Sequence, residues 1–334
     1  MTRCLPPLLV LVVALAAGCG GSSDSHDESG GASGSKDGEQ VSLVAYSTPE
    51  VVWNAIAADF RKTSAGEGFG LKSSYGPSGE QSRAVEGGLK ADGLHLSQTP
   101  DIDRLVAAGL VSKGYPKAFP HGGIVATSIV SFVVRKGNPK AIEDWDDLLK
   151  PGVEVVTANP FTSGGAKWNL LGAYAHGGLD YVSELLKEHV PVQPKSAREA
   201  LQTFTGGEGD VLISYESEYY TAVKKGEQDL EIVHPPDTFE IETPVALTKG
   251  APAAAKALLD FAFGPVGQGR FAEWGHRPVD DAVLEKNRSK FPEPKKLTSV
   301  DDIGGWPKLN EELFDPENGS IAKIEDEAGV STAR

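Results

Sequence analysis

From Val41 onward the hydrophobic positions switch between two periods. VSLVAYS (41–47) is a short β-branched run of buried-strand length, and PEVVWNAIAADFRKT (49–63) spaces its apolar residues helically behind a proline. The alternation recurs. GIVATSIVSFVVRKG (123–137) predicts a strand, AIEDWDDLLK (141–150) a helix, VEVVTAN (153–159) a strand and AKWNLLGAYAHG (166–177) a helix. DYVSELLKEHV (180–190) and AREALQTFTGG (197–207) predict helices, DVLISYES (210–217) a strand and AAAKALLDFAFG (253–264) a further helix. Strand feeding helix in this way gives an α/β class with largely parallel sheets. No internal repeat and no second polar linker interrupts the body. Two lobes without a loose linker imply a chain that crosses between them more than once, and the interface of two lobes is a usual place for a ligand pocket.

The first 40 residues follow another pattern. MTRCLPPLLVLVVALAAGC (1–19) has one cation, Arg3, ahead of an apolar stretch from Leu5 to Ala17 that is too short to span a bilayer and has the length of an export-signal core. It ends in small residues before Cys19, which resembles the lipobox of bacterial lipoproteins. Cleavage before Cys19 would leave that residue N-terminal and lipid-modified; the alternative is an ordinary secreted protein cut near Ala17. Cys4 would leave with the leader, so an intrachain disulfide is excluded by count. Residues 19–40, GGSSDSHDESGGASGSKDGEQ after the cysteine, carry Ala32 as their one apolar side chain, so nothing there offsets the entropy of ordering. A coil of this Gly/Ser type spans about 25 Å, enough to hold a folded body just off a membrane surface. His26 within it reads as a solvated linker histidine.

Composition narrows the function. The 334 residues carry 32 Lys+Arg against 47 Asp+Glu, a net charge of −15 that becomes −16 once Arg3 leaves with the leader. With 40% hydrophobic and 24% charged residues this is a globular chain, long enough for two lobes with their own cores. Its acidity excludes nucleic acid as an expected partner, because phosphate-backbone binding needs clustered Lys and Arg.

Catalytic signatures are missing. Gly76-Pro77-Ser78-Gly79 lacks the spacing of a nucleophile elbow, and neither a phosphate-binding P-loop nor a dinucleotide fingerprint occurs. The seven histidines have no metal-ligand spacing, and the pairs Asp101/Asp103 and Asp146/Asp147 read as solvated loop and helix-start acids, so no cofactor or metal is expected. A secreted hydrolase, with Ser163 or Ser78 as nucleophile and His121 or His176 as base, is the alternative from another class. No base has recognisable spacing to either serine, and a non-enzyme is expected.

What the chain offers instead is hydroxyl and Gly residues where strands feed helices. Ser47-Thr48-Pro49, Tyr75-Gly76-Pro77-Ser78-Gly79 and Pro160-Phe161-Thr162-Ser163-Gly164-Gly165 each precede a helix. Each N-terminus carries unpaired backbone N–H groups and a positive dipole end, with Gly permitting close approach. One alone is a helix cap. Three converging on one cleft would hold an anion without formal positive charge.

These residues also match a known family. The stretch RKGNPKAIEDWDDLLKPGVEVVTANPFTSGGAKWNLLGAYA (135–175) resembles bacterial sulfate- and thiosulfate-binding proteins, the solute receptors of sulfate ABC importers. Their NP-x-x-SGGARWN segment stands here as Asn159 to Asn169. SYGPSGEQSRAVEGGLKAD (74–92), GDVLISYESE (209–218), RPVD (277–280) and FPEPKKLTSVDDIGGW (291–306) extend the likeness over roughly residues 41–322. The resemblance implies a type II periplasmic-binding-protein fold, two α/β lobes with a ligand cleft between them. Lobe 1 would comprise 41–125 plus 245–330, and lobe 2 would comprise 126–244. It implies sulfate or a related oxyanion held by an amide at Ser47, a hydroxyl at Ser78, a hydroxyl and two amides at Ser163, Gly164 and Gly165, an amide at Ala197, and Tyr215 in the place of an indole donor. Lys167 and Arg198 would support the loops from behind. The partners implied are an ABC permease and, through Cys19, a membrane, with the protein itself a monomer on the outer face of the cytoplasmic membrane. The same fold with another small anion is the alternative.

Two stretches depart from that family pattern. Tyr215 replaces a tryptophan, and LHLSQTPDIDRL (94–105) replaces a more apolar segment ahead of Asp-Ile-Asp. A hydroxyl can accept as well as donate, unlike an indole N–H. The donor set still favours sulfate, which carries no proton near neutral pH, over phosphate, whose proton needs an acceptor. That reading expects Glu80, Asp92 and Glu216 to point away from the pocket.

Overall fold

Alternation within Gln40–Tyr46 (β1) sets the first lobe: Val41, Leu43 and Ala45 pack into one buried cluster and Val44 into another, on opposite faces of the strand. The computed structural model describes residues 39–332, so the leader, Cys19 and the tether through residue 38 lie outside the described residues. In chain order β1 is followed by α1 (Glu50–Phe60), β2 (Gly70–Gly76), α2 (Ser78–Glu86), β3 (Gly93–His95), α3 (Thr99–Ala107), β4 (Ile124–Arg135), β5 (Val155–Val156), α4 (Gly164–Glu184) and α5 (Ala197–Thr205). Then come β6 (Val211–Tyr215), α6 (Glu216–Lys224), β7 (Leu230–Val233), β8 (Asp237–Leu247), α7 (Ala253–Phe263) and α8 (Pro265–Glu273). The chain continues through β9 (Arg277–Pro278), α9 (Asp281–Lys286), β10 (Lys296–Thr298), α10 (Gly305–Glu312) and α11 (Ser320–Glu327).

The strands run in the order β2-β1-β3-β8-β4-β6-β5. Parallel pairs β1–β2, β1–β3 and β5–β6 carry the strand-to-helix turns, whereas β8 lies antiparallel to β3 and β4, and β4 antiparallel to β6 and β7. The expected largely parallel sheet is therefore mixed, because two long strands traverse both lobes. β4 pairs with β8 over Ile124–Ile129 and with β6 over Val130–Val134, and β8 reaches β3 with Val245–Leu247.

Each lobe is a sheet covered on two faces. In the first, Trp53, Leu258 and Phe271 of α1, α7 and α8 cover one face, and Val85, Ile102 and Leu105 of α2 and α3 the other. In the second, Leu201 and Phe204 of α5 lie behind Leu212, while Trp168, Leu170 and Leu171 of α4 pack with Phe132 and Ile213. Fully burying one such side chain contributes about 1.5–3 kcal/mol. Leu309, Leu313, Phe314, Ile321 and Ile324 join this second core, so the C-terminal helices belong with α4. That differs from the expected allocation of residues 245–330 to the first lobe.

Local elements differ from the pattern in three places. Residues 141–150 form only a short tight turn, Trp145–Leu149, held by an Asp144/Asp147 capping box. The strand at 153–159 shortens to Val155–Val156. The helices expected at 166–177 and 180–190 form one run from Gly164 to Glu184, broken in direction at Gly178 (φ 69°), followed by a wider turn at Leu185–His189.

Helix α11 carries a buried carboxyl. Gln193 Nε2 donates to Glu325 Oε2 at 2.7 Å, while Oε1 has no partner, and burial pushes Glu325 up to about 7. A folded-state pKa above the unfolded value favours the native state fully below about pH 4.5, and that contribution is lost as pH rises through 7. The loss is on the order of 3 kcal/mol. Thermal melts should show the wild-type falling in stability between pH 5 and pH 8 relative to Glu325→Gln; parallel pH profiles would refute the assignment.

Candidate anion-binding site

The N-terminus of α4 is built by the residues before it. Ser163 has extended backbone and its Oγ accepts the Ala166 N–H at 3.4 Å, which caps the helix and leaves the Gly164 and Gly165 amides, in the first turn, without intrahelical partners. The preceding loop is fastened from several sides. Asn159 accepts the Phe161 N–H at 2.8 Å and donates to the Ser331 carbonyl at 2.9 Å, and Thr162 Oγ1 donates to the Lys195 carbonyl at 2.7 Å beside the start of α5. Within α4, Asn169 Nδ2 donates to Thr157 Oγ1 and to the Ile213 carbonyl at 2.9 and 2.8 Å, fixing the helix against β6.

Glycine at both positions is a packing requirement. A Cβ on Gly164 would stand 2.2 Å from Ser97 Oγ, and one on Gly165 would stand 2.8 Å from the Tyr215 ring. Ser97 follows β3 in the first lobe and Tyr215 ends β6 in the second. The two are joined by a hydrogen bond from the Tyr215 hydroxyl to Ser97 Oγ at 3.1 Å. Trp168 Nε1 also donates to the Ser97 carbonyl at 2.8 Å, so α4 is held against the first lobe by a second bond.

Of the remaining expected residues, Ser78 bonds to Ser97 directly, and Ala197 and Ser47 lie at the α5 start and the β1–α1 corner, which Arg198 links. Ser78 opens α2 after Pro77; its Oγ accepts the Ser97 N–H at 2.9 Å and donates to Asp101 Oδ2 at 2.6 Å. Gln98 Nε2 donates to the same carboxylate oxygen at 3.2 Å. Ala197 is the first residue of α5 behind Ser196, whose Oγ accepts the Glu199 N–H at 3.1 Å. Ser47 lies in the β1–α1 corner, and its neighbour Thr48 accepts Arg198 Nη2 on the carbonyl oxygen at 3.0 Å, linking that corner to the start of α5. The Tyr46 and Tyr215 rings are 5.8 Å apart across the same gap.

Of the two cations expected as supports, Arg198 pairs behind the loops, whereas Lys167 lines the cleft. Arg198 Nη2 also donates to the fully buried Glu218 at 2.9 Å; burial holds the Glu218 carboxyl above its usual range although Arg198 opposes this. Lys167 donates to Asn310 Oδ1 at 2.9 Å and lies over the Phe314 ring. Acidic groups are turned to other partners. Asp92 accepts the Ser42 N–H at 2.7 Å. For Glu216, burial alone would raise the carboxyl, but His234 and a two-pronged Arg277 contact at 2.7 and 2.9 Å hold it below its usual range. A cleft of about 360 Å³ leads to Ser163 and Gly164; Arg83, Arg104 and Lys167 line it together with Asp101, Glu311 and Asp315, a balanced set of charges.

Sequence reasoning missed Ser97, Asp101 and Trp168. Ser97 sits in the stretch that departs from the family pattern, and the departure itself was the available signal; Asp101, read as a solvated acid, is buried instead. The hydrolase arrangement does not form: His176 pairs with Asp146 at 2.9 Å, His121 is exposed in the turn before β4, and Ser78 gives its proton to Asp101. The buried His95 and His276 do not serve as cations either. Burial drives His95 well below its usual range, where its Nδ1 accepts the Trp53 indole N–H at 2.9 Å, and takes His276 down to about 3.

Two α/β lobes joined by crossing strands, with bare helix amides at their junction, define an extracytoplasmic solute receptor of the type II periplasmic-binding-protein fold. The chain matches the bacterial extracellular solute-binding proteins over residues 41–277 and belongs to that family, in its sulfate- and thiosulfate-binding group. It is 38% identical over 326 residues to the sulfate-binding protein of Synechococcus elongatus, covering 92% of this chain and 91% of the relative. It is 35% identical over 280 residues to the thiosulfate-binding protein of Pseudomonas aeruginosa, covering 78% and 84%. The solved structure of the sulfate-binding protein SubI from Mycobacterium tuberculosis superposes with a TM-score of 0.79 at 44% identity, covering 83% of this chain and 99% of that one.

The glycine packing yields a direct test. Gly164→Val is expected to abolish oxyanion binding in calorimetry with sulfate as the probe. Ser163→Ala should weaken it by about ten- to a hundredfold, the range of one hydrogen bond to a charged group. Unchanged affinity in both variants would place the anion elsewhere.

Proposed function

We propose that this protein captures sulfate, or thiosulfate, between its lobes and delivers it to an ABC permease. The carrying observation is the first turn of α4, whose Gly164 and Gly165 pack so closely on Ser97 and Tyr215 that neither position has room for a side chain. Ser78 at the start of α2 bonds to Ser97 beside this turn, and in this reading Ala197 at the start of α5 and Ser47 in the β1–α1 corner would complete the donor set. Helix amides and hydroxyls favour a fully ionised oxyanion through short-range donation and dipoles. The neighbouring carboxylate, Asp101, is engaged on Oδ2 by the Ser78 hydroxyl and the Gln98 amide. A site built for one hydrogen-bond pattern can reject another by about 10⁴. The sulfate- and thiosulfate-binding relatives support this ligand class.

Capture would bring the lobes together, and the permease would read the closed form. Cys19 would anchor the protein through lipid on the outer face of the cytoplasmic membrane, with the Gly/Ser-rich stretch as tether, and the receptor would act as a monomer. The global acidity then serves solubility, and recognition rests on neutral donors.

Calorimetry with sulfate, thiosulfate, phosphate and molybdate tests the ligand class. Sulfate or thiosulfate should bind most tightly, with phosphate about 10⁴ weaker; failure to bind any of the four, or parity of phosphate with sulfate, would sink the proposal. Cys19→Ser should release the protein from membranes into the soluble fraction, and retention there would refute lipid anchoring at that residue.

A further inference from the structure

The two departures from the family pattern, Tyr215 and the segment containing Ser97, touch one another. They form a hydroxyl pair at 3.1 Å, with Ser97 fully buried and Tyr215 nearly so. Two hydroxyls carry two protons, and one mutual hydrogen bond uses one of them. The other is given to no acceptor among the described residues. A buried O–H without an acceptor is unfavourable enough that native structures nearly always provide one.

With the Tyr215 hydroxyl as donor, the spare proton is the one on Ser97. Ser97 is fixed on every other side: its N–H goes to Ser78 Oγ at 2.9 Å, its carbonyl accepts the Trp168 indole at 2.8 Å, and its Oγ receives the Tyr215 hydroxyl. That Oγ abuts Gly164 at the mouth of the α4 amides. Ser78 cannot supply the same donor while its single proton goes to Asp101 at 2.6 Å.

We propose that Ser97 is a ligand-contacting hydroxyl of the oxyanion site, and that Tyr215 is a positioning residue that donates to one Ser97 lone pair and so orients the Ser97 proton toward the anion. The proposal rests on the reading of this cleft as an oxyanion site and adds to it the residues that set its preference. The Tyr215–Ser97 pair takes the place of a single indole N–H, and it favours donation toward the anion. Freed from Tyr215, the Ser97 hydroxyl could turn and accept, which would admit a protonated oxyanion.

The test compares sulfate and phosphate affinities of wild-type, Ser97→Ala, Tyr215→Phe and the double variant by calorimetry, with the melting temperature of each unliganded protein as a check on folding. Ser97→Ala should weaken sulfate binding about tenfold or more, the scale of a charge-assisted hydrogen bond. Tyr215→Phe should cost less, should add little in the Ser97→Ala background, and should narrow the gap between sulfate and phosphate. Ser97→Cys, which keeps the shape and weakens the donor, should fall between wild-type and Ser97→Ala. If wild-type binds sulfate but Ser97→Ala does so within about twofold of it, or if Tyr215→Phe costs more than Ser97→Ala, this assignment is overturned while the receptor reading stands. If wild-type binds no oxyanion, the receptor reading itself fails and this assignment with it.

Discussion

The close approach of the α4 N-terminus to Ser97 and Tyr215 is the constraint on which the rest depends. Amides bind an anion strongly only when they are bare, converging and shielded from water, and no residue with a side chain fits at Gly164 or Gly165. Ser163 satisfies the N–H of Ala166, the residue immediately after the glycines, so the helix is capped without covering them. The surrounding hydrogen bonds serve that geometry: Asn159 and Thr162 hold the loop, Asn169 holds the helix to β6, and Trp168 fastens it to the first lobe. Such cross-lobe bonds can form only when the two lobes are together, which couples the state of the cleft to the state of the site.

Charge is also paired inside the protein. Glu216 with Arg277 and His234, and Glu218 with Arg198, are buried ionic groups set behind the site loops. A buried pair of this kind is weak evidence for stability, because desolvation offsets much of the attraction, but removing one partner leaves the other uncompensated. Arg198 illustrates what the arrangement supplies: one guanidinium nitrogen joins the Thr48 carbonyl in the first lobe to Glu218 in the second. Its contribution is position, aligning the β1–α1 corner with the start of α5.

Much of this was legible in the chain because loop chemistry is local. The run from Pro160 to Gly165 reads as a strand-to-helix junction whose glycines permit close approach, and the periodicity after Val41 places β1, α1, β4 and α7 near their observed bounds. What failed was non-local. TFEIETPVAL does not read as a long strand, with Glu alternating through it and Pro244 inside, yet β8 is held by pairing with β3 and β4, which tertiary context alone provides. Val155 and Val156 are all that remain of a strong β-branched run because pairing partners, β6 foremost, meet it only there. The C-terminal helices carry no mark of which lobe they cover; their packing against Trp168 and Leu171 decides it. In the site, Ser97 is one of several polar residues in the run from His95 to Thr99, and nothing local says that its partners come from β6 and α4.

The central claim is that neutral donors at helix starts hold the anion. Amide resonances of the ¹⁵N-labelled protein, followed as sulfate is added, test it most directly. The account predicts that the Gly164, Gly165 and Ala197 N–H protons move downfield together and become protected from exchange as binding saturates. Sulfate binding that leaves these three amides unmoved, while Arg or Lys side-chain resonances shift in their place, would contradict it.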